Sequence, residues 1–209
     1  MTEIILFGAG GHAAVIIDIL QAQIQLGAAI KIKGFLDDSD KLEWMGYPVL
    51  GPISSAMAFH EENVSFIIAI GNNLVREMIE REFSALSFFT AIHPTAIVGS
   101  NVNIGAGTVV MPRVVINANT QIGRHVILNS ASVIEHDNII DDYVHISPGA
   151  ILCGTVKVGK KTHIGANATI IQGMSVGESC VIGAGSTVIR PISSQIVAVG
   201  SPAKVIKKV

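Results

Sequence analysis

A six-residue period of aliphatic side chains runs without interruption through the second half of the chain. Neither an amphipathic helix, with a period of 3.6, nor an alternating strand, with a period of 2, gives a sustained six. A short fixed period predicts a repeat architecture, and a period of six predicts a parallel β-helix. The 17 positions are Ile92, Val98, Ile104, Val110, Ile116, Ile122, Leu128, Ile134, Ile140, Ile146, Leu152, Val158, Ile164, Ile170, Val176, Ile182 and Val188.

Three such hexads would form one triangular coil, with the aliphatic side chains stacked inside a prism about 4.8 Å apart. Residues 91 to 190 would give between five and six coils. Glycine often follows the aliphatic residue, as at Gly99 and Gly165, and we expect it to relax the turn. Because no insertion interrupts the period, the walls of any active site should come from neighbouring copies, and identical faces suit a homotrimer.

The first ninety residues instead alternate predicted strands with predicted helices, as in a small Rossmann-like βαβ module. We therefore divide the chain into an α/β domain of residues 1–90 and a β-helix domain of residues 91–209 that ends in a short tail. The predicted strands are Glu3–Phe7, Lys31–Leu36 and Ser65–Ile70, and the predicted helices are Ala13–Gln25 and roughly Leu74–Leu86.

A glycine-rich segment, residues 8–12, follows the first predicted strand. Gly8, Gly10 and Ala13 nearly satisfy a dinucleotide fingerprint, and Asp37 lies where a ribose-binding acid would be. Glycines at a helix N-terminus let backbone N–H groups approach a diphosphate, a group that NAD and a nucleotide-linked sugar share. The alternative is that these glycines serve only a tight turn.

The composition excludes several classes of function. A formal net charge of −2 over 209 residues gives no basic field for nucleic acid. No apolar run reaches the length of about 20 residues that spans a bilayer. The N-terminus has no signal-peptide pattern. The two cysteines, Cys153 and Cys180, fit reduced thiols, so we expect a cytoplasmic protein.

One histidine, His136, lies between two acids, Glu135 and Asp137. A carboxylate beside an imidazole fixes its tautomer, and histidine is the commonest general base in enzymes. His145 follows half a coil later and so should lie on a different part of the prism. We expect the two histidines to act together by facing a groove between subunits.

Two further predictions depend on the length of the coil. His163 lies one full coil after His145, so the two rings should stack, but no third ligand has the phase needed for a metal, and we expect none. His125 shares its phase with Tyr143 and Lys161, so the three should form an outward polar column.

Several segments together resemble the NeuD/PglD-type sugar acetyltransferases, which are hexapeptide-repeat acyltransferases, over essentially the whole chain. They are residues 7–12 (FGAGGH), 35–38 (FLDD), 69–73 (AIGNN), 92–94 (IHP), 133–136 (VIEH), 143–150 (YVHISPGA) and 200–204 (GSPAK). The resemblance implies a left-handed β-helix and acetyl-CoA as co-substrate. It also implies acetylation of the 4-amino group of a nucleotide-linked 4-amino-4,6-dideoxysugar, carried on UDP or dTDP, in bacterial glycan biosynthesis.

The resemblance also implies roles for individual residues. His136 would be the general base, with Asp137 as its supporting acid and Glu135 as a possible substitute. His145 would contact the acetyl carbonyl or the coenzyme, where a donor could stabilise an oxyanion. The backbones of Ala166 and Ala184 would bind the pantetheine arm. The nucleotide-sugar pocket would contain Gly10, Gly11, His12, Asp37, Asp38 and Gly71. Direct attack without an acyl-enzyme is expected.

Three alternatives remain at this stage. An O-acetyltransferase acting on a sialic acid or related sugar would share the fold and the coenzyme. An NAD-dependent oxidoreductase would explain the glycine segment but not the repeat. A non-catalytic repeat protein would leave the Glu-His-Asp cluster unexplained. Neither the nucleotide (UDP, dTDP or GDP) nor the stereochemistry at C4 follows from the sequence.

Overall fold

A computed structural model describes residues 1–209 and begins with a five-stranded sheet of order β3-β4-β2-β1-β5. Strand β1 pairs in parallel with β2 and β5, and two helices accompany the sheet. The elements are β1 (Thr2–Phe7), α1 (Gly11–Gln25), β2 (Ile30–Leu36), β3 (Glu43–Trp44), β4 (Tyr47–Gly51), a 3₁₀ helix (Ile53–Phe59), β5 (Val64–Ile68) and α2 (Asn73–Glu82).

The structure confirms the three predicted strands and two predicted helices of this part. The apolar face of α1, including the fully buried Ile16 and Leu20, belongs to the main hydrophobic core. Helix α2 begins after Asn72, whose side chain accepts hydrogen bonds from two backbone N–H groups of the first turn. The sequence analysis missed β3, β4 and the 3₁₀ helix, because such short elements carry little periodic signal.

The hexads form 17 two-residue strands, each ending at one of the aliphatic positions of the period. They are β6 (Ala91–Ile92), β7 (Ile97–Val98), β8 (Asn103–Ile104), β9 (Val109–Val110), β10 (Val115–Ile116), β11 (Gln121–Ile122), β12 (Ile127–Leu128), β13 (Val133–Ile134), β14 (Ile139–Ile140), β15 (His145–Ile146), β16 (Ile151–Leu152), β17 (Lys157–Val158), β18 (His163–Ile164), β19 (Thr169–Ile170), β20 (Ser175–Val176), β21 (Val181–Ile182) and β22 (Thr187–Val188).

These strands stack into three parallel sheets, the faces of the prism, and each strand pairs with the strand three hexads further along the chain. The first face contains β6, β9, β12, β15, β18 and β21; the second contains β7, β10, β13, β16, β19 and β22; the third contains the rest. From Val110 to Val188 the interior aliphatic side chains are almost fully buried. Val98, in contrast, is 43% exposed, because no coil covers the end of the prism.

The corners between faces correct the expectation that the glycine after each aliphatic residue relaxes the turn. The left-handed backbone occurs three residues after the aliphatic position, for example φ +57° at Ala131 and +54° at Asn167. The glycine directly after the aliphatic residue serves a close approach between coils instead. A Cβ at Gly165 would stand 2.6 Å from the backbone nitrogen of Ala184 in the next coil. Glycine at that position therefore lets the coils stack at strand spacing.

A C-terminal hairpin extends the first face. Strand β23 (Ile196–Val199) pairs in parallel with β21, and β24 (Lys204–Lys208) returns antiparallel to β23. No helix in the protein is long and apolar enough to cross a membrane.

Candidate active site

His136 lies at the second corner, between the second and third faces, two residues after β13. Its Nδ1 is 2.7 Å from Oδ2 of Asp137, and both side chains are about half exposed. Asn119, one coil earlier, donates to the other carboxylate oxygen of Asp137 at 3.1 Å. Hydrogen bonds from His136 and Asn119 hold the pKa of Asp137 below its usual value. An ionised Asp137 keeps the proton on Nδ1, which leaves the Nε2 lone pair free to accept one.

Glu135 contacts a different partner. Its Oε2 accepts a hydrogen bond from Asn117 at 2.8 Å, one coil earlier on the second face. Of the two flanking acids, the structure brings only Asp137 to the imidazole of His136.

Gly154, which the sequence analysis did not identify as a site residue, lies against the ring of His136. A Cβ at Gly154 would stand 2.6 Å from Cε1 and 2.7 Å from Nε2 of that ring. Glycine therefore provides the space in which the imidazole lies. The sequence could have identified Gly154 by its position, because it lies one full coil after His136.

His145 lies on the first face, on a different part of the prism from His136, as the half-coil spacing predicted. Its Nε2 is 3.2 Å from Nδ2 of Asn129. Oδ1 of Asn129 accepts the N–H of Ser130, so the amide nitrogen faces the ring and donates to it. Burial lowers the pKa of His145 to about 3. The neutral ring therefore carries its proton on Nδ1, and the backbone of Gly71 accepts a hydrogen bond from the imidazole.

The rings of His145 and His163 stack with centroids 4.7 Å apart and planes 4° apart, which confirms the predicted pair. Nε2 of His163 lies 2.7 Å from Oγ of Ser147, and burial lowers the pKa of His163. The protein contains no group of three His, Cys, Asp or Glu side chains that could hold a metal ion.

The residues predicted for nucleotide-sugar binding all line one cavity of about 450 Å³ at the carboxyl ends of β1, β2 and β5. They are Gly10, Gly11, His12, Asp37, Asp38 and Gly71. Helix α1 starts at Gly11, so its first N–H groups face this space. Burial lowers the pKa of His12 to about 4, and its Nε2 has no hydrogen-bond partner in the chain.

The two aspartates of this cavity also bind the backbone around it. Oδ2 of Asp37 accepts the Ala9 N–H at 2.7 Å, and Oδ1 accepts the Ser39 N–H at 2.9 Å. Burial alone would raise the pKa of Asp37, but the hydrogen bonds from Ser39 and Ala9 outweigh it and lower the pKa. Asp38 accepts the Ile53 N–H at 2.9 Å through Oδ1. Both oxygens of Asp37 thus hold the backbone around the cavity in place.

Arg76 of α2, which the sequence analysis also missed, connects this cavity to the prism. Its guanidinium is fully buried and donates to carbonyl oxygens on both sides of the junction: Gly71 at 2.9 Å, His125 at 3.0 Å and Tyr143 at 2.8 Å. Burial lowers the pKa of Arg76 to about 9, so it stays cationic at neutral pH. No local sequence pattern marks such an arginine, because its partners are backbone groups of distant segments.

Helix α2 covers the third corner, between the third and first faces. This corrects the prediction that His125, Tyr143 and Lys161 form an outward polar column. His125 and Tyr143 do form a column that points out of the prism, and their rings stack, but each is only 1% exposed. Glu80 of α2 accepts the Tyr143 hydroxyl at 2.6 Å, and Lys161 pairs with Glu77 of α2 at 2.9 Å. The phase of the repeat predicted the corner correctly, whereas the covering helix depended on the tertiary structure.

Ala166 and Ala184 lie one coil apart at the first corner, between the first and second faces. Neither backbone N–H has an acceptor within the chain. A second cavity, of about 460 Å³, lies beside the start of α2 and includes Gly71 and His163 in its lining, so it adjoins the first cavity at Gly71. Within the single chain, the predicted pocket residues thus line one cavity, and His136 separately contacts Asp137. His136 and His145 lie on different parts of the prism and are not brought together.

Comparisons with known proteins match both parts of the chain. Residues 3–83 match the PglD N-terminal domain family, and residues 155–190 match the hexapeptide repeat of succinyl-transferase. The chain is 37% identical over 119 residues to UDP-N-acetylbacillosamine N-acetyltransferase of Bacillus subtilis. That match spans 53% of this chain and about half (51%) of the length of that relative.

Two solved structures match along almost the full length of both chains. A mutant of perosamine N-acetyltransferase from Caulobacter crescentus, in complex with CoA and GDP-perosamine, is 31% identical with a TM-score of 0.93 and covers 100% of this chain and 98% of its own. The acetyltransferase domain of PglB from Neisseria gonorrhoeae, in complex with acetyl coenzyme A, is 33% identical with a TM-score of 0.91 and 98% coverage of both. The chain therefore belongs to the family of PglD-type hexapeptide-repeat sugar acetyltransferases.

Proposed function

We propose that the protein is an acetyl-CoA-dependent N-acetyltransferase that acetylates the 4-amino group of a nucleotide-linked 4-amino-4,6-dideoxysugar. The contact between His136 and Asp137 carries the proposal, because it leaves Nε2 of a half-exposed imidazole able to take a proton. Two of the similar proteins named above are a UDP-N-acetylbacillosamine N-acetyltransferase and a perosamine N-acetyltransferase, and two are bound to CoA or acetyl-CoA.

The chemistry needs one base and one oxyanion donor. The sugar amine attacks the thioester carbonyl carbon while Nε2 of His136 removes a proton from the attacking nitrogen. The tetrahedral intermediate then expels the CoA thiolate, which accepts that proton from His136. Asp137 keeps Nδ1 protonated and stabilises the imidazolium between the two transfers. The cysteines take no part, and no acyl-enzyme forms.

His145 and the first corner would serve the coenzyme. The N–H that the His145 imidazole gives to the Gly71 backbone in the single chain would turn to the acetyl carbonyl or nearby coenzyme atoms when acetyl-CoA binds. The unpaired backbone N–H groups of Ala166 and Ala184 are suited to the amide carbonyls of a pantetheine arm along the coils.

The proposal includes the assembly. Because His136 and His145 lie on different parts of one prism, a complete site requires a second copy, and three copies of a left-handed prism close a ring. Each groove between prisms would then combine His136 of one copy with His145 of the next. Residues 1–90 would bind the nucleotide-linked sugar and residues 91–209 would bind acetyl-CoA.

The acceptor is tested with a panel of UDP-, dTDP- and GDP-linked sugars, each offered as the 4-amino and the 4-hydroxy form. We expect thiol release from acetyl-CoA with at least one 4-amino sugar and with none of the 4-hydroxy sugars. Turnover confined to hydroxyl acceptors, such as a sialic acid, would contradict N-acetylation. The GDP-linked ligand of the Caulobacter relative makes GDP part of the panel beside UDP and dTDP.

A further inference from the structure

His145 belongs to a ladder of outward side chains on the first face, with one rung in each coil. Its register partner in the preceding coil is Ile127, and its partner in the following coil is His163. Ile127 is buried in the main hydrophobic core, whereas His163 is only partly buried and lines the second cavity. One neighbour of His145 along the ladder is thus a packed aliphatic side chain, and the other is an imidazole at the edge of open space.

The two imidazoles make a parallel stack, with centroids 4.7 Å apart and planes 4° apart. Residues in register on neighbouring parallel strands lie about 4.8 Å apart, so the backbone of the prism sets this separation. Stacked aromatic pairs are attracted beyond the effect of their buried area. A tilt of the His145 ring out of its plane would therefore have to break the stack.

A hydrogen bond fixes His163 in its turn. Oγ of Ser147, a buried side chain, lies 2.7 Å from Nε2 of His163. One coil earlier, Asn129 occupies the equivalent position and lies 3.2 Å from Nε2 of His145. Each ring is thus held at Nε2 by the residue 16 positions before it, and the stack joins two rings of fixed orientation.

The hydrogen bonds of His145 leave one movement of its ring unopposed. They join its nitrogens to Asn129 and to the backbone of Gly71, and such bonds are strongest along directions in the ring plane. They therefore resist sliding of the ring within its plane more than tilting out of it. Tilting is the movement that a ring stacked on one side opposes, and His163 supplies that ring.

We propose that His163 is a positioning residue for the reaction, because its ring holds the plane of the His145 imidazole in the direction that the acetyl carbonyl requires. The inference rests on the proposed contact of His145 with acetyl-CoA. A donor to an oxyanion works only when it points to the place where the charge develops. A tilted His145 ring would turn its N–H away from that place, although His163 itself touches no reacting atom.

Three variants separate positioning from a merely structural stack. His163→Ala removes the ring, and His163→Phe keeps a ring on His145 but loses the hydrogen bond to Ser147. Val181→Ala is the matched control, because Val181 is the next rung of the ladder and pairs with His163 rather than with His145.

The first measurement is kcat and the KM values for the amino sugar and acetyl-CoA. We expect His163→Ala to lower kcat about tenfold, near the upper end of what an aromatic pair contributes, with the KM for the amino sugar unchanged. His163→Phe and Val181→Ala should keep kcat within about twofold of wild type. A kcat that stays within about twofold in His163→Ala would overturn the inference, and so would an equal loss in either of the other variants.

The second measurement needs no substrate. Nitrogen NMR of labelled histidine reports the tautomer of His145, and we expect one Nδ1–H tautomer in the wild type and in His163→Phe. In His163→Ala the signals should move towards the average of the two tautomers, because a tilting ring exchanges its hydrogen bonds. Unchanged His145 signals in His163→Ala would overturn the inference whatever the kinetics. Wild-type protein that gives the expected signals yet acetylates no amino sugar would instead contradict the proposed function alone.

Discussion

Nη2 of Arg76 donates to the carbonyl oxygen of Tyr143 at 2.8 Å, so one fully buried guanidinium joins the α/β part of the chain to the prism. Nη1 of the same guanidinium donates to the carbonyl oxygen of Gly71, a residue that lines the predicted sugar pocket. The orientation of that pocket relative to His145 therefore depends on a residue that lines neither cavity.

Replacing Arg76 with Met should destabilise the fold, because several buried carbonyl groups would lose their donor. We expect a loss of about 3 kcal/mol in the free energy of unfolding, measured by urea denaturation. Arg76→Lys should recover part of it and should raise the KM for the sugar nucleotide more than that for acetyl-CoA. Wild-type stability in Arg76→Met would show that these hydrogen bonds contribute nothing.

The two acids beside His136 provide a matched pair of variants. Asp137→Asn removes the carboxylate that accepts from Nδ1, so we expect kcat to fall at least tenfold with little change in either KM. Glu135→Gln should leave kcat unchanged, because that side chain contacts Asn117 instead. Steady-state kinetics decide between them, and a larger effect at Glu135 would reverse the assignment.

Gly154→Ala should displace the base without unfolding the prism. The new Cβ would stand 2.6 Å from the His136 ring, and the backbone at Gly154 has no positive φ that alanine would strain. We expect kcat to fall on the order of a hundredfold, the cost of misplacing a catalytic group by about 1 Å. CoA affinity and Tm should remain near wild type. Unchanged kcat would mean that the ring has room to move without loss of function.

Four buried imidazoles make stability depend on pH, because burial lowers the pKa of His163 as well as those of His12, His125 and His145. Burial lowers the pKa of His12 and His125 to about 4 and that of His145 to about 3. In the unfolded chain these groups bind protons near pH 6.5, so unfolding becomes more favourable as the pH falls from 6.5 towards 4. We expect a loss of roughly 2 kcal/mol per histidine at pH 5.

Urea denaturation at about pH 7.5 and about pH 5 measures this effect. His125→Phe keeps an aromatic ring in the stack and removes one titrating group, so its loss on acidification should be smaller by the contribution of one histidine, roughly 2 kcal/mol. Ordinary carboxylates protonate mainly below this window, which isolates the imidazole contribution. Equal stability of the wild type at both pH values would contradict the buried neutral state of these histidines.

The sequence predicted the features that depend on its repeat or on one local motif. The repeat period predicted the interior positions and the stacking of His145 on His163, and the residues predicted for the sugar pocket line one cavity. It could not show that α2 covers His125, because that contact joins segments far apart in the chain. Nor could it choose between Glu135 and Asp137, because both flank the histidine and only the corner geometry brings one to Nδ1.

The central claim is that His136 is the general base, and His136→Gln tests it most directly. The measurements are kcat for the amino-sugar substrate at saturating acetyl-CoA and the dissociation constant for CoA. The account predicts a fall in kcat of at least about a hundredfold with CoA affinity unchanged. A kcat within about threefold of wild type would contradict it.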